Sequence, residues 1–184
     1  MSSKTIIGTV AVAMLVVSAT IGAMAFTTGS VSRSVSADVV TDDVGLIALQ
    51  AGSSGLVYQD GNGALTIDFT NGAAASGVNT DAHFEIGDPN NGNATYAFNV
   101  TNLDSESHDF TFSYTGVTND TDTGANIQYQ VYNSTGSLLG TASEESTYTV
   151  SALGSGQTVY VVVVVDTVGL DSTANLSGTL EISA

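Results

Sequence analysis

The chain has 184 residues, of which 42% are hydrophobic, enough for one domain with a real core. Its formal net charge is −16 and its only basic residues are Lys4 and Arg33, so it lacks the cations that neutralise phosphate, which excludes nucleic-acid binding. It has no cysteine, so neither a disulfide framework nor a thiolate metal site can form, and packing must supply the stability.

In chain order, residues 1–25 read as an export signal. Lys4 gives a short basic start, Thr5–Met24 is uncharged and largely apolar, and Ala23-Met24-Ala25 fits a small-x-small cleavage site. A signal peptide helix removed near residue 25 is expected, placing the mature protein outside the cell or on its surface. The apolar stretch is about 20 residues, also long enough to span a bilayer, so the alternative is a retained membrane anchor. In either case the membrane is met only through this segment.

Residues 26–40 follow, with SVSRSVSADVV from Ser30 onward. Ser30, Ser32, Ser34, Ser36 and Asp38 fall on one face, and Val31, Arg33, Val35, Ala37 and Val39 on the other. This period-2 alternation predicts a strand with a solvated serine face and an apolar face that Arg33 interrupts. The strand either folds back into its own domain or leaves to complete a neighbour's sheet, as in donor-strand complementation.

Thr41-Asp42-Asp43 reads as a turn and Gly45–Ala51 as a short apolar strand. Leu56–Gln59 and Ala64–Thr70, joined by Asp60-Gly61-Asn62-Gly63, read as a hairpin. Asn79–Ile86 is ambiguous between a helical turn and a strand, and Asp88–Asn93 is a loop. Ala94–Asn102 puts Tyr96, Phe98 and Val100 on one face. His108–Thr115 does the same with Phe110, Phe112 and Tyr114, and Ile127–Tyr132 with Ile127, Tyr129 and Val131. Thr118–Gly124 is a polar loop. Asn133–Gly136 turns, Ser137–Thr141 can pair, and Tyr148–Leu153 leads to Gly154-Ser155-Gly156. Leu176–Ala184 closes the chain.

The most informative strand is Thr158–Val168, TVYVVVVVDTV. Val159–Val165 is an unbroken β-branched and aromatic run, which favours a strand over a short buried helix. It lacks polar alternation, so both of its faces should be covered, and a central strand is expected with a second sheet on one side and edge or loop structure on the other. With about eight or more short strands, the expected fold is all-β: a jelly-roll or immunoglobulin-like antiparallel β-sandwich over residues 41–184. The signal peptide helix (1–25) and the N-terminal strand (26–40) precede it.

Three stretches carry a resemblance: RSVSADVVTDDVGLIALQ after the leader, ATYAFNVTN in the middle, and GSGQTVYVVVVVDTVGLDSTANLSGTLEISA at the end. Together they resemble a haloarchaeal family of small secreted surface proteins of unassigned function. More remotely, the chain is similar to the TasA/camelysin group of biofilm-matrix fibre proteins. The acid-rich, lysine-poor composition suits very high salt and a halophilic archaeon as source. The remoter resemblance implies a jelly-roll-like sandwich whose mature N-terminal segment inserts into the next subunit. Here that role would fall to Phe26–Val40, with Val31, Arg33, Val35, Ala37 and Val39 as the inserted face. Arg33 within that face departs from the pattern.

Little points to catalysis. His83 and His108 are far apart in sequence, and H-E-x-x-H and G-x-S-x-G are absent. Glu144-Glu145 and Asp42-Asp43 read as solvated loop charges rather than a glycosidase pair. Asp120 and Asp122 are similar to the opening of a calcium loop. The later ligands are missing, so loop acid is the better reading. No catalytic residue, metal or cofactor is therefore expected. N-glycosylation sequons stand at Asn93, Asn99, Asn119, Asn133 and Asn175, those at Asn119, Asn133 and Asn175 in predicted turns. The function expected is a secreted structural subunit that assembles with copies of itself into a pilus-like filament or biofilm matrix. The alternative is a monomeric glycosylated envelope domain that binds glycans or other surface proteins.

Overall fold

The computed structural model describes residues 39–71, 77–116 and 126–184. The chain divides into two units, Met1–Asp38 and Val39–Ala184. The first lies outside the described residues, and with it the expected signal peptide and Val31, Arg33, Val35 and Ala37. Asn119, Asp120 and Asp122 lie outside them as well. Val39 and Val40 are described, exposed and not in a strand.

Among the described residues every regular element is a strand, and no helix occurs. In order they are β1 (Ile47–Ala51), β2 (Val57–Gln59), β3 (Leu65–Ile67), β4 (His83–Ile86), β5 (Phe98–Asn102) and β6 (His108–Gly116), then β7 (Ile127–Tyr132), β8 (Leu138–Ser143), β9 (Tyr148–Leu153), β10 (Thr158–Asp166) and β11 (Gly178–Ser183). All pairings are antiparallel, so the unit is all-β, as expected. The larger sheet runs β1-β5-β10-β7-β8 with β4 also on β10. A second sheet runs β11-β6-β9, and β2–β3 is a separate hairpin.

The valine strand β10 organises the larger sheet. One of its edges pairs with β7 from Tyr160 to Val165. Its other edge is shared, by β5 at Thr158–Val161 and by β4 at Val163–Asp166. Val159, Val161, Val163 and Val165 join Phe98, Phe110, Phe112, Tyr129 and Val131 in one core cluster, which takes residues from both sheets and makes the unit sandwich-like. Val162 and Val164 point the other way, into a smaller cluster with Tyr132 and the flanking Tyr160. Each buried valine contributes about 1.5–3 kcal/mol relative to exposure. The run lacks alternation because it has two dry faces.

The cover on the outer face follows from the pairing. Because β4 and β5 share one edge of β10, the chain between them must loop out, and it folds over Val162. A Cβ on Gly92 would lie 2.6 Å from the Tyr132 ring, and one on Gly87 would lie 3.0 Å from Val162 Cγ2. Tyr96 packs against Tyr160, with ring centroids 5.0 Å apart and the planes inclined at 53°. Asp88 holds the loop: its N–H donates to Thr95 O (2.9 Å) and its Oδ1 accepts from Asn90 N–H (2.9 Å).

This placement corrects one expectation. Tyr96 does not share the inward face of Phe98 and Val100; it lies on the outer face beside Asn99. Ala97 N–H donates to Val161 O (2.8 Å), while Phe98 is the register partner of Val161. Two residues thus oppose one, as in a β-bulge, and the alternation slips by one position.

Other elements have equally local causes. Asp60 Oδ1 accepts from the N–H groups of Asn62 (2.8 Å) and Ala64 (3.0 Å), closing the β2–β3 hairpin. The ambiguous 79–86 stretch becomes strand β4 through a distant clamp on the buried Thr167. Its Oγ1 accepts from Ala82 N–H (2.9 Å) and donates to Asn79 O (2.6 Å), and its own N–H donates to Ala82 O (2.9 Å). Asn102, with no exposed surface, fixes the corner between the sheets. Its Nδ2 donates to Glu106 O (2.7 Å) and Leu153 O (2.8 Å), and its Oδ1 accepts from Asp104 N–H (2.9 Å).

Candidate assembly edges and surface sites

A sheet edge with unpaired N–H and C=O groups is a template for another strand, so the way each edge is closed decides what can add to it. Even-numbered residues of β1 face β5, as shown by Leu103 N–H to Leu46 O (2.9 Å) and Gly52 N–H to Ala97 O (2.7 Å). Its outward groups are already partly used. Leu49 N–H donates to Asp42 O (2.7 Å), and Leu49 O accepts from Gln59 Nε2 (2.8 Å). Asp42 also donates its N–H to Gly63 O (3.1 Å) and accepts Leu65 N–H on Oδ2 (2.8 Å). This one aspartate clips the incoming chain to both β1 and the hairpin.

The edge of β11 differs. Gly178–Ser183 pairs with β6 on one side, and among the described residues no strand pairs with the other. Leu180 and Ile182 point to the core but are only half-buried, and Thr179, Glu181 and Ser183 are exposed. Because β8 runs through a tight turn at Ser143–Ser146 into β9, those two strands share one flank, and β11 lies toward the β1 flank. That flank holds most of the half-buried apolar side chains that pack on the core. Ile47, Leu49 and Ala51 belong to β1, Leu65 and Ile67 to the hairpin, and Leu180 and Ile182 to β11. The core is sealed at β10 and β6 and thinner here.

A cleft of about 390 Å³ opens beside β4, lined by Leu56, Phe69, Val78, Ala82, His83 and Phe84 among others. Phe69 meets Phe84 edge-on at 6.3 Å. The lining is mostly apolar and suits a hydrocarbon side chain. At its rim His83 pairs with Glu85 at 3.1 Å in solvent. His108 pairs with Asp104, and this hydrogen bond holds the Asp104 carboxyl below its ordinary value. Among the described residues no three His, Asp or Glu side chains converge as metal ligands would.

Two tyrosines bridge the sheets. Tyr114 and Tyr129 lie 5.3 Å apart at 51°, and Tyr114 Oη donates to Leu176 O (3.0 Å). Burial, with the nearby Glu144 charge, pushes the Tyr114 hydroxyl up to about 12. Burial, then Tyr114 and Glu144, raises Tyr129 as well.

The sequon asparagines fall in unlike settings. Asn99 lies in β5 on the outer face, 8% exposed, with Nδ2 3.5 Å from Tyr96 Oη. Asn93 is half-buried and donates Nδ2 to Ser134 O (2.9 Å), within the Asn133 sequon. Asn133 sits in the β7–β8 turn, and Asn175 is exposed and accepts Ser177 N–H (3.0 Å). Two structural roles carry no signal in the sequence. Asp42, the clip on β1, reads there as loop charge, and Asn102, the corner, is marked only by its place at a strand end. No protein-family model, curated protein or solved structure matches the chain.

Proposed function

We propose that the protein is a secreted structural subunit that polymerises with copies of itself into an extracellular filament or matrix. Its body is read as a jelly-roll or immunoglobulin-like β-sandwich, and its polymerisation strand as residues 26–40, which add to the β11 edge of the next copy. The observation that carries the reading is the thinner flank at β11, where Leu180 and Ile182 are half-buried beside an edge that no described strand pairs. An added strand with Val31, Val35 and Val39 facing inward would bury them. Main-chain hydrogen bonds would supply the affinity and alternate side chains the register.

Charge supports the same reading. Both basic residues precede residue 39, whereas every Glu, and every Asp but Asp38, follows it. Once the leader is removed, Arg33 is the sole lysine or arginine and enters an acidic neighbour. No catalysis is assigned. The alternative is a monomeric envelope-binding domain, favoured by the closing of the β1 edge through Asp42 and Gln59 of the same chain. Deletion of Phe26–Val40 from the mature protein separates the two. Loss of filaments with the body still folded supports assembly by this strand. Filaments that persist unchanged refute it, and a deletion that unfolds a protein always monomeric favours the alternative.

A further inference from the structure

We propose that Asn133 is an N-glycan acceptor and that Asn93 and Asn99, which carry the same kind of sequon, are not. The proposal rests on the export part of the preceding reading, because the sugar donor is used on the far side of a membrane.

The turn Asn133–Ser137 presents the Asn133 amide from one end only. Its Oδ1 accepts three hydrogen bonds, from Thr135 N–H (3.0 Å), Thr135 Oγ1 (2.7 Å) and Ser137 N–H (2.9 Å). They hold the oxygen against the turn and direct Nδ2 away from it. Nδ2 bonds to no described residue, and Asn133 is partly exposed beside the exposed Ser134 and Thr135. Gly136, at φ 80°, and the bond from its N–H to Asn133 O (3.0 Å) fix the turn further.

The other two acceptors are spent or covered. Asn93 Nδ2 already donates to Ser134 O (2.9 Å), and its Oδ1 faces Gly136, where a Cβ would lie 2.8 Å away. A sugar on Asn93 would break that bond and push into the Asn133 turn, so the two sites compete for one space. Asn99 lies beside the tilted Tyr96–Tyr160 pair with its Oδ1 buried and unpartnered. A glycan placed on Asn99 before folding would keep Tyr96 from packing, so such a chain would not reach this fold. The sugar on Asn133 would sit at the head of edge strand β8, beside Leu138 and Leu139, which are 52% and 39% exposed. Polar bulk there opposes edge-to-edge pairing.

The step is a glycosyl transfer without redox change. Asn133 Nδ2 attacks the anomeric carbon of an oligosaccharide carried on a polyprenyl phosphate or pyrophosphate. A C–N bond forms as the C–O bond to phosphate breaks. The lipid leaves as its phosphate or pyrophosphate anion, according to the donor, and the amide proton passes to a base of the transferase.

The test is glycopeptide mass spectrometry on the protein isolated from the cells that make it, cleaved at acidic residues. The Asn133 peptide is expected to carry an oligosaccharide mass, with the one peptide between Asp88 and Asp104, which holds both Asn93 and Asn99, at its unmodified mass. Thr135→Ser should keep the added mass, Thr135→Ala and Asn133→Gln should abolish it, and Asn93→Gln should leave it. A bare Asn133 peptide, or sugar on Asn93 or Asn99, overturns the proposal. If Asn133 is bare in protein found outside the cell, this inference alone fails; if the protein is found only inside, export falls with it.

Discussion

Substitution of Val162 and Val163 by threonine, one at a time, tests whether the valine strand is dry on both faces. The two are adjacent, both have no exposed surface, and they point into different clusters. Threonine keeps the volume but replaces a methyl by a hydroxyl. Burying such a group without a partner costs about 1–3 kcal/mol by mutational measures. Both variants should lose that much, a large share of the roughly 5–15 kcal/mol that holds a domain folded. Val168→Thr is the control: Val168 is 68% exposed, and a change there should stay within about 0.5 kcal/mol. The assay is urea unfolding at fixed salt, reading the shift in midpoint at constant slope. If Val162→Thr behaves like Val168→Thr while Val163→Thr is costly, the outer face is wet and the cover by residues 87–96 is refuted.

Gly92→Ala should destabilise in the same direction as Val162→Thr, because its Cβ would sit 2.6 Å from the Tyr132 ring; an unchanged urea midpoint would contradict the cover. Asn102→Ala removes three side-chain hydrogen bonds at a fully buried corner and should cost about 2–4 kcal/mol in the same assay. The raised tyrosines fix the alkaline limit. Their pKa is higher folded than unfolded, so the unfolded chain releases the proton first. The stabilisation is complete below pH 10 and is lost between about 10 and 12 for Tyr114. The slope there is about 1.4 kcal/mol per pH unit for each such group, and Tyr114→Phe should flatten it in unfolding measured against pH. Asp42→Ala should speed hydrogen exchange at the Leu65 amide, which loses its carboxylate acceptor, and leave the amides of β10 protected.

The body is legible in the sequence where a strand's partners do not matter to its pattern. The run Val159–Val165 and the alternations in β6 and β7 follow from composition and a period of two, and the all-β class follows from them. Periodicity misplaces Tyr96 because a bulge at Ala97–Phe98 is set by what Val161 pairs with, which no local window contains. Residues 79–86 read ambiguously because the clamp that makes them a strand comes from Thr167, far along the chain. Asn102 is invisible for a like reason, since one of its partners, Leu153 O at the end of β9, is brought to it only by folding. The assembly edge is harder still. A half-buried Leu180 looks the same in sequence as a buried one, and edge or centre is a property of the sheet. The sequons are legible as strings, but the difference between Asn133 and Asn93 lies in which amide atom is already bonded.

The central claim is that residues 26–40 of one copy lie along β11 of another. The chain has no cysteine, so one can be placed without competition. Val35→Cys in one preparation and Leu180→Cys in a second, mixed in high salt and oxidised, put the two sulfurs on the proposed contact, where a disulfide needs Cα atoms within about 7 Å. The account predicts a mixed covalent dimer in excess of either homodimer. A doubly substituted chain that closes only on itself, with no mixed dimer between singly substituted chains, would contradict it.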